Sequence, residues 1–282
     1  MTRITRHQVP NLALVTETYG QLLADLPESV RWARVRPTNH GLLISDALRV
    51  AQYGAVADPG SPEVASALLL AAEAGDCLFS ASAGLAGPDV GLTLAGEPVA
   101  YPQPPRADDL LWSTWITCFL LNALFRRGAA MDRMVQAPPP RRGVRSVPEY
   151  ECRRLFVRAL RGDHAGAPET GRAILRAMEA TDPDANELEW PEYVLNIDVH
   201  RINLLGLAAS EDGPNFGKHL ALALEDFRKF WSRDEERRRT AYGFLSPELA
   251  GLAALAWDRG LRFDVRSDYL PDDLIRGNAP GA

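Results

Sequence analysis

Apolar residues recur every three to four positions along almost the whole chain, and that spacing dictates helices before anything else is considered. Leu12, Val15, Tyr19, Leu22, Leu23 and Leu26 fall on one face of a first helix, which Pro27 is expected to end because it offers no amide to the ladder. Ser61, Pro62 and Glu63 have the logic of a helix start. The hydroxyl accepts from a free amide, the proline loses no bond in the first turn, and the carboxylate suits the positive helix end. Ser246, Pro247 and Glu248 repeat the pattern, and Ser146 with Glu149 has capping-box spacing. Other helices are predicted over about 39–56, 106–127, 146–161, 168–180, 190–209, 214–231 and 246–259.

Strand signals are sparse. VGLTLAGEPVAYP alternates apolar and polar residues around Ala95, Gly96 and Glu97, which predicts a small β-hairpin near 89–101. The expected fold is mainly α, an irregular multi-helix bundle or a solenoid-like array of antiparallel helices, with no fixed repeat period. PPPRRG, Pro138 to Gly143, interrupts the chain most firmly, but composition does not change across it. One domain over residues 1–282 is expected, with 137–145 as the place where two helical halves would divide.

Composition narrows the function classes. Hydrophobic residues make up 46% and charged residues 24%, enough to bury a core. The 31 Lys and Arg against 37 Asp and Glu leave a net charge of -6, which argues against nucleic acid and anionic membrane as partners. The N-terminus has cations but no apolar stretch behind them, so it does not read as a secretory signal. The longest apolar run, Leu110 to Phe125, is 16 residues with Ser113, Thr114, Thr117 and Asn122 inside it, which suits a core helix better than a bilayer span. Cys77, Cys118 and Cys152, each beside apolar residues, read as buried free thiols in a reducing compartment, and a cytoplasmic location is expected.

Candidate chemistry is confined to EWPEYVLNIDVHRINLLGL, Glu189 to Leu207. A pocket between helices lined by Tyr193, Asp198, His200 and Arg201 would suit a small-molecule binder or an enzyme of specialised metabolism, with His200 as general base. Asp198 and His200 point about 200° apart on a helix and cannot pair, whereas Asp198 with Arg201, or Asn196 with His200, can. No histidine pair has ligand spacing, and neither a phosphate-binding loop nor a nucleophile elbow occurs. No metal, cofactor or catalytic residue is therefore assigned. SRDEERRR, Ser232 to Arg239, reads by default as a solvated face.

Several segments in order carry a resemblance: MTRITRH, AVADPGS, CLFSASAG, WSTWITCFLL, LALALEDFRKFWSRDEERR and, most specific, LAALAWDRGLRFDVRSDYLPDDLI. Over about Thr2 to Ile275 the chain resembles the immunity 49 family (Imm49), found largely in actinobacteria and especially streptomycetes. The resemblance implies a mostly helical, non-enzymatic protein of bacterial polymorphic toxin systems that binds and blocks a cognate protein toxin. No catalytic residue is carried over from it. Acidic edges at Asp108, Asp109, Glu211, Asp212, Asp272 and Asp273 are the candidate contacts, and the net charge would steer a basic toxin toward them. In the last segment Gly260 is expected to end a helix, Phe263 and Val265 to run extended, and Ser267 or Asp268 to cap a final turn. That turn would fold Tyr269, Leu270 and Leu274 onto the core.

Overall fold

The computed structural model describes residues 2–101, 110–137 and 148–278 apart from 187 and 189, with backbone alone at 148–150. Strand β1 (Thr2–Ile4) leads into helices α1 (Leu12–Val35), α2 (His40–Ala57) and α3 (Pro62–Ser82), then the hairpin β2 (Thr93–Leu94) and β3 (Glu97–Pro98). Helices α4 (Trp112–Leu124), α5 (Gly128–Gln136), α6 (Pro148–His164) and α7 (Thr170–Glu179) follow. A helical run then opens as α8 (Pro191–Tyr193), widens into a π-turn (Val194–Asp198) and continues as α9 (Val199–Ala209). Helices α10 (Gly213–Ser232), α11 (Glu235–Arg239) and α12 (Pro247–Asp258), strand β4 (Val265–Ser267) and the short α13 (Asp272–Ile275) complete the order. The fold is mainly α, and the hairpin turns through Ala95 and Gly96, both at positive φ.

Helix α4 is the axis. Trp115, Phe119, Leu120 and Leu121 are buried on several of its faces, because α3 packs on one side, α12 on another and α6 on a third. Both long contacts need glycine. A Cβ on Gly75 of α3 would lie 2.3 Å from the Cys118 Cβ, and one on Gly251 of α12 would lie 2.3 Å from the Leu120 carbonyl oxygen. Helices α1, α2, α3, α4 and α12 therefore stack in succession, and α9 joins them to α10 and α7. One hydrophobic cluster runs from Ile4 to Ile275. Helix α3 is long and apolar enough to cross a membrane, but 83% of its apolar window is buried inside the protein, where it serves as a core helix. Its buried Asp76 accepts from Arg133 (3.0 and 2.5 Å), Arg127 (3.5 Å) and Ser80 (2.9 Å), tying α3 to α5. All three cysteines are buried.

Three expectations are corrected. Pro27 does not end α1, which runs on to Val35 with the proline inside it. Leu22, Leu23 and Leu26 before it and Val30 and Ala33 beyond it all pack on the core, so burial outweighs one missing backbone bond. Ser61 caps α3 through the Glu63 amide at 3.3 Å, but the Ser246 hydroxyl makes no such bond at α12. Ser246 is instead held by its own amide, which donates to the Tyr269 carbonyl at 3.0 Å. The third concerns strands: beyond the one hairpin expected before the C-terminus, Thr2–Ile4 also forms a strand, paired in parallel with Val265–Ser267. Ser146 lies outside the described residues.

The C-terminal reading is otherwise as expected. Gly260 takes φ 85° just past α12, and the Ser267 hydroxyl accepts from the Tyr269 amide at 3.2 Å. Tyr269, Leu270 and Leu274 are buried, and the Tyr269 hydroxyl meets the His7 amide and ring nitrogen, each at 2.9 Å.

Candidate functional site

Trp190 is followed by proline and a carboxylate, so α8 begins with Pro191 in its first turn and Glu192 at its positive end. The π-turn comes next. Four residues along an α-helix drift by about 40° around its axis, and a wider turn offsets that drift. Tyr193, Ile197 and Arg201 consequently all border one cavity of about 470 Å³, across from Phe227, Phe230 and Trp231 of α10.

The cavity is aromatic in its walls and ionic at its base. Tyr193 meets Phe230 edge to face at 5.6 Å, and Phe230 meets Trp231 the same way at 5.0 Å. Below them Glu248 of α12 accepts from the Thr117 hydroxyl at 2.6 Å with one oxygen and pairs with Arg201 at 3.3 Å with the other. Arg201 also holds Asp198 at 2.9 Å and donates to the Tyr193 hydroxyl at 3.4 Å. Burial opposes the charge of Arg201, but Tyr193, Glu248 and Asp198 more than offset it and hold the guanidinium above its ordinary value. Burial likewise pushes the Tyr193 hydroxyl up. With both oxygens engaged, Glu248 is a fixed anchor rather than a free base, so this geometry suits binding more than proton transfer.

The mouth carries Trp190 and Tyr242, 67% and 58% exposed. Beside them lie Arg153, 3.6 Å from Asp198, and Arg237, stacked 4.3 Å from the centre of the Phe230 ring. Glu192 gathers Arg233 and Arg237, the second at 2.9 Å, linking α8 to the junction of α10 and α11. SRDEERRR is thus more than a solvated face, because its Arg237 forms part of the cavity wall.

Residues 58–274 match the Imm49 family, Immunity protein 49. The chain belongs to that family. No curated protein and no solved structure matches it. In this Imm49 member the matched stretch holds most of the cavity, while Leu48 and Gln52 of α2 lie outside it.

The residues singled out from sequence divide accordingly. Tyr193 and Arg201 line the cavity; Asp198 supports Arg201 without lining it. His200 faces away, with Nε2 3.0 Å from Asp226 of α10. Burial lowers its pKa against the pull of that carboxylate. Asn196 donates to the Glu192 carbonyl at 2.7 Å instead of meeting His200. Of the acidic edges, Asp272 and Asp273 line a second hollow of about 660 Å³ with Asp268 and Arg6. Glu211 and Asp212 sit in the turn before α10, where Asp212 caps the helix through the Asn215 amide at 3.3 Å. Asp108 and Asp109 lie outside the described residues. Among the described residues no cluster of His, Cys, Asp or Glu could hold a metal ion. Asp226, Glu248 and Thr117 were missed because their partners are 26, 47 and 131 positions away, where no spacing rule reaches.

Proposed function

We propose that this chain is an immunity protein that neutralises a cognate bacterial toxin by direct protein–protein binding in the cytoplasm. The observation that carries the reading is the family match over residues 58–274, since Imm49 membership implies a toxin as partner. The aromatic and arginine-rich mouth supports it, because Trp, Tyr and Arg dominate the energetics of protein interfaces. Binding alone suffices for protection when a partner's active site is occluded, so no catalytic group is required of the immunity protein.

The test is co-expression with the protein encoded beside this chain's gene. Growth should be restored and the two chains should co-purify in a fixed ratio. Equal killing with and without this chain, together with no complex, refutes the reading for that pair.

A further inference from the structure

We propose that the cavity bordered by the π-turn, α10 and α12 receives an aromatic side chain of the protein partner, one flanked in the partner's sequence by a carboxylate. The inference rests on the toxin-binding reading above and identifies the surface that reading leaves open.

The shape asks for a large flat group. From the exposed lip of Trp190 and Tyr242 a path of rings leads inward, Tyr242 to Trp231 at 6.5 Å, Trp231 to Phe230 at 5.0 Å and Phe230 to Tyr193 at 5.6 Å. An incoming ring can stack or meet edges at each step. The volume, about 470 Å³, falls among cavities that enclose a whole ligand group rather than a surface dimple. Interface anchors sit in such desolvated pockets, surrounded by contacts that exclude water.

The polar groups choose the flanking charge. Arg153 and Arg237 both belong to the cavity lining. Arg153 has its carboxylate contact with Asp198 only at 3.6 Å. A carboxylate on the partner gives Arg153 a closer acceptor than Asp198 does and sits beside Arg237. An ammonium would face Arg153 and Arg237 across the opening. In a chain of net charge -6, the cavity lining carries Arg153, Arg201 and Arg237 against the single carboxylate Glu248.

The site is also braced by contacts of its own before anything enters it. Arg201 is pinned between Asp198 and Glu248, Arg237 between Glu192 and the Phe230 ring, and the π-turn is a rare geometry that recurs at functional sites. A receptor already set in its bound form loses less freedom on association.

The experiment uses the full chain with the protein encoded beside its gene, by calorimetric titration. Trp190→Ala with Tyr242→Ala should weaken binding at least tenfold at unchanged melting temperature, since both side chains are mainly exposed. Leu175→Ala, exposed at 65% on α7 and not part of the cavity lining, should leave binding unchanged. Equal binding by wild type and the double variant overturns the inference while leaving the immunity reading intact, and so does an equal loss in Leu175→Ala. Should the wild type not bind that protein, the immunity reading fails for the pair and the cavity is judged by two probes, N-acetyl-aspartyl-phenylalanine amide and its lysyl counterpart. Saturable one-to-one binding of the aspartyl peptide, several-fold tighter than the lysyl one and lost in the double variant, supports the cavity assignment. No saturable binding, or no preference for the carboxylate, overturns it.

Discussion

His40, the first residue of α2, makes the stability of this protein depend on pH in a calculable way. Its ring is fully buried, meets Tyr101 edge to face at 4.9 Å, and has no hydrogen-bond partner at either nitrogen among the described residues. Burial pushes its pKa from the ordinary 6.5 down to about 4. The folded state therefore takes up the proton at lower pH than the unfolded state, and stability drains away as pH falls from 6.5 toward 4. A gap of about two and a half pKa units is worth roughly 3 kcal/mol in full, and about 2 kcal/mol of it is lost by pH 5. Urea unfolding at pH 7.5 and 5.0, followed by circular dichroism, measures it. His7 and His200 are also lowered by burial, so the informative quantity is the difference from His40→Phe, which keeps a ring and removes the titration. Wild type should lose about 2 kcal/mol more than the variant between the two pH values. At pH 7.5 the variant should be at least as stable, since it deletes two unpaired polar atoms. Parallel losses in the two proteins would refute the argument.

Three further perturbations test the packing. Gly251→Ala drives a methyl toward the Leu120 carbonyl and should cost about 3 kcal/mol, whereas Gly171→Ala on α7, with open space around it, should be neutral or mildly stabilising; thermal melts compare them. Asp76→Ala strands Arg133 in a partly buried position, leaves Arg127 with Glu73 alone, and should cost roughly 3–5 kcal/mol by urea midpoint, with Asp76→Asn intermediate. A chain ending at Gly260 loses β4, Tyr269 and Leu274 together and should melt at a lower temperature in a broader transition, and an unchanged melting temperature would show the closing segment to be dispensable.

What could be read from the sequence depended on the range of the interaction. Helices were legible because Leu43, Ala47 and Val50, or Leu220, Leu224 and Phe227, repeat the burial of a single face. The α3 start was legible because Ser61 meets Glu63 two residues on, and the Gly260 turn because φ 85° favours glycine. The extent of α1 was misjudged because Pro27 is judged locally while Val30 and Ala33 are buried by distant elements. At the site, Asp198 and Arg201 were paired correctly from three-residue spacing, but Glu248 and Thr117 come from helices far along the chain. The π-turn left no mark in the pattern, since one added residue per turn changes which side chains align without changing their type.

The pairing of Thr2–Ile4 with Val265–Ser267 bears on how the chain is made as well as how it is held. At a synthesis rate of roughly 5–20 residues per second, the first strand emerges tens of seconds before its partner does. Throughout that interval its edge is open, because its hydrogen bonds cannot form until the segment around Val265 has been made. A segment with that wait benefits from being short and charged, as Thr2, Arg3, Ile4, Thr5 and Arg6 are, because such an edge is a poor template for another chain. This parallel pair therefore joins two segments that are synthesised far apart in time.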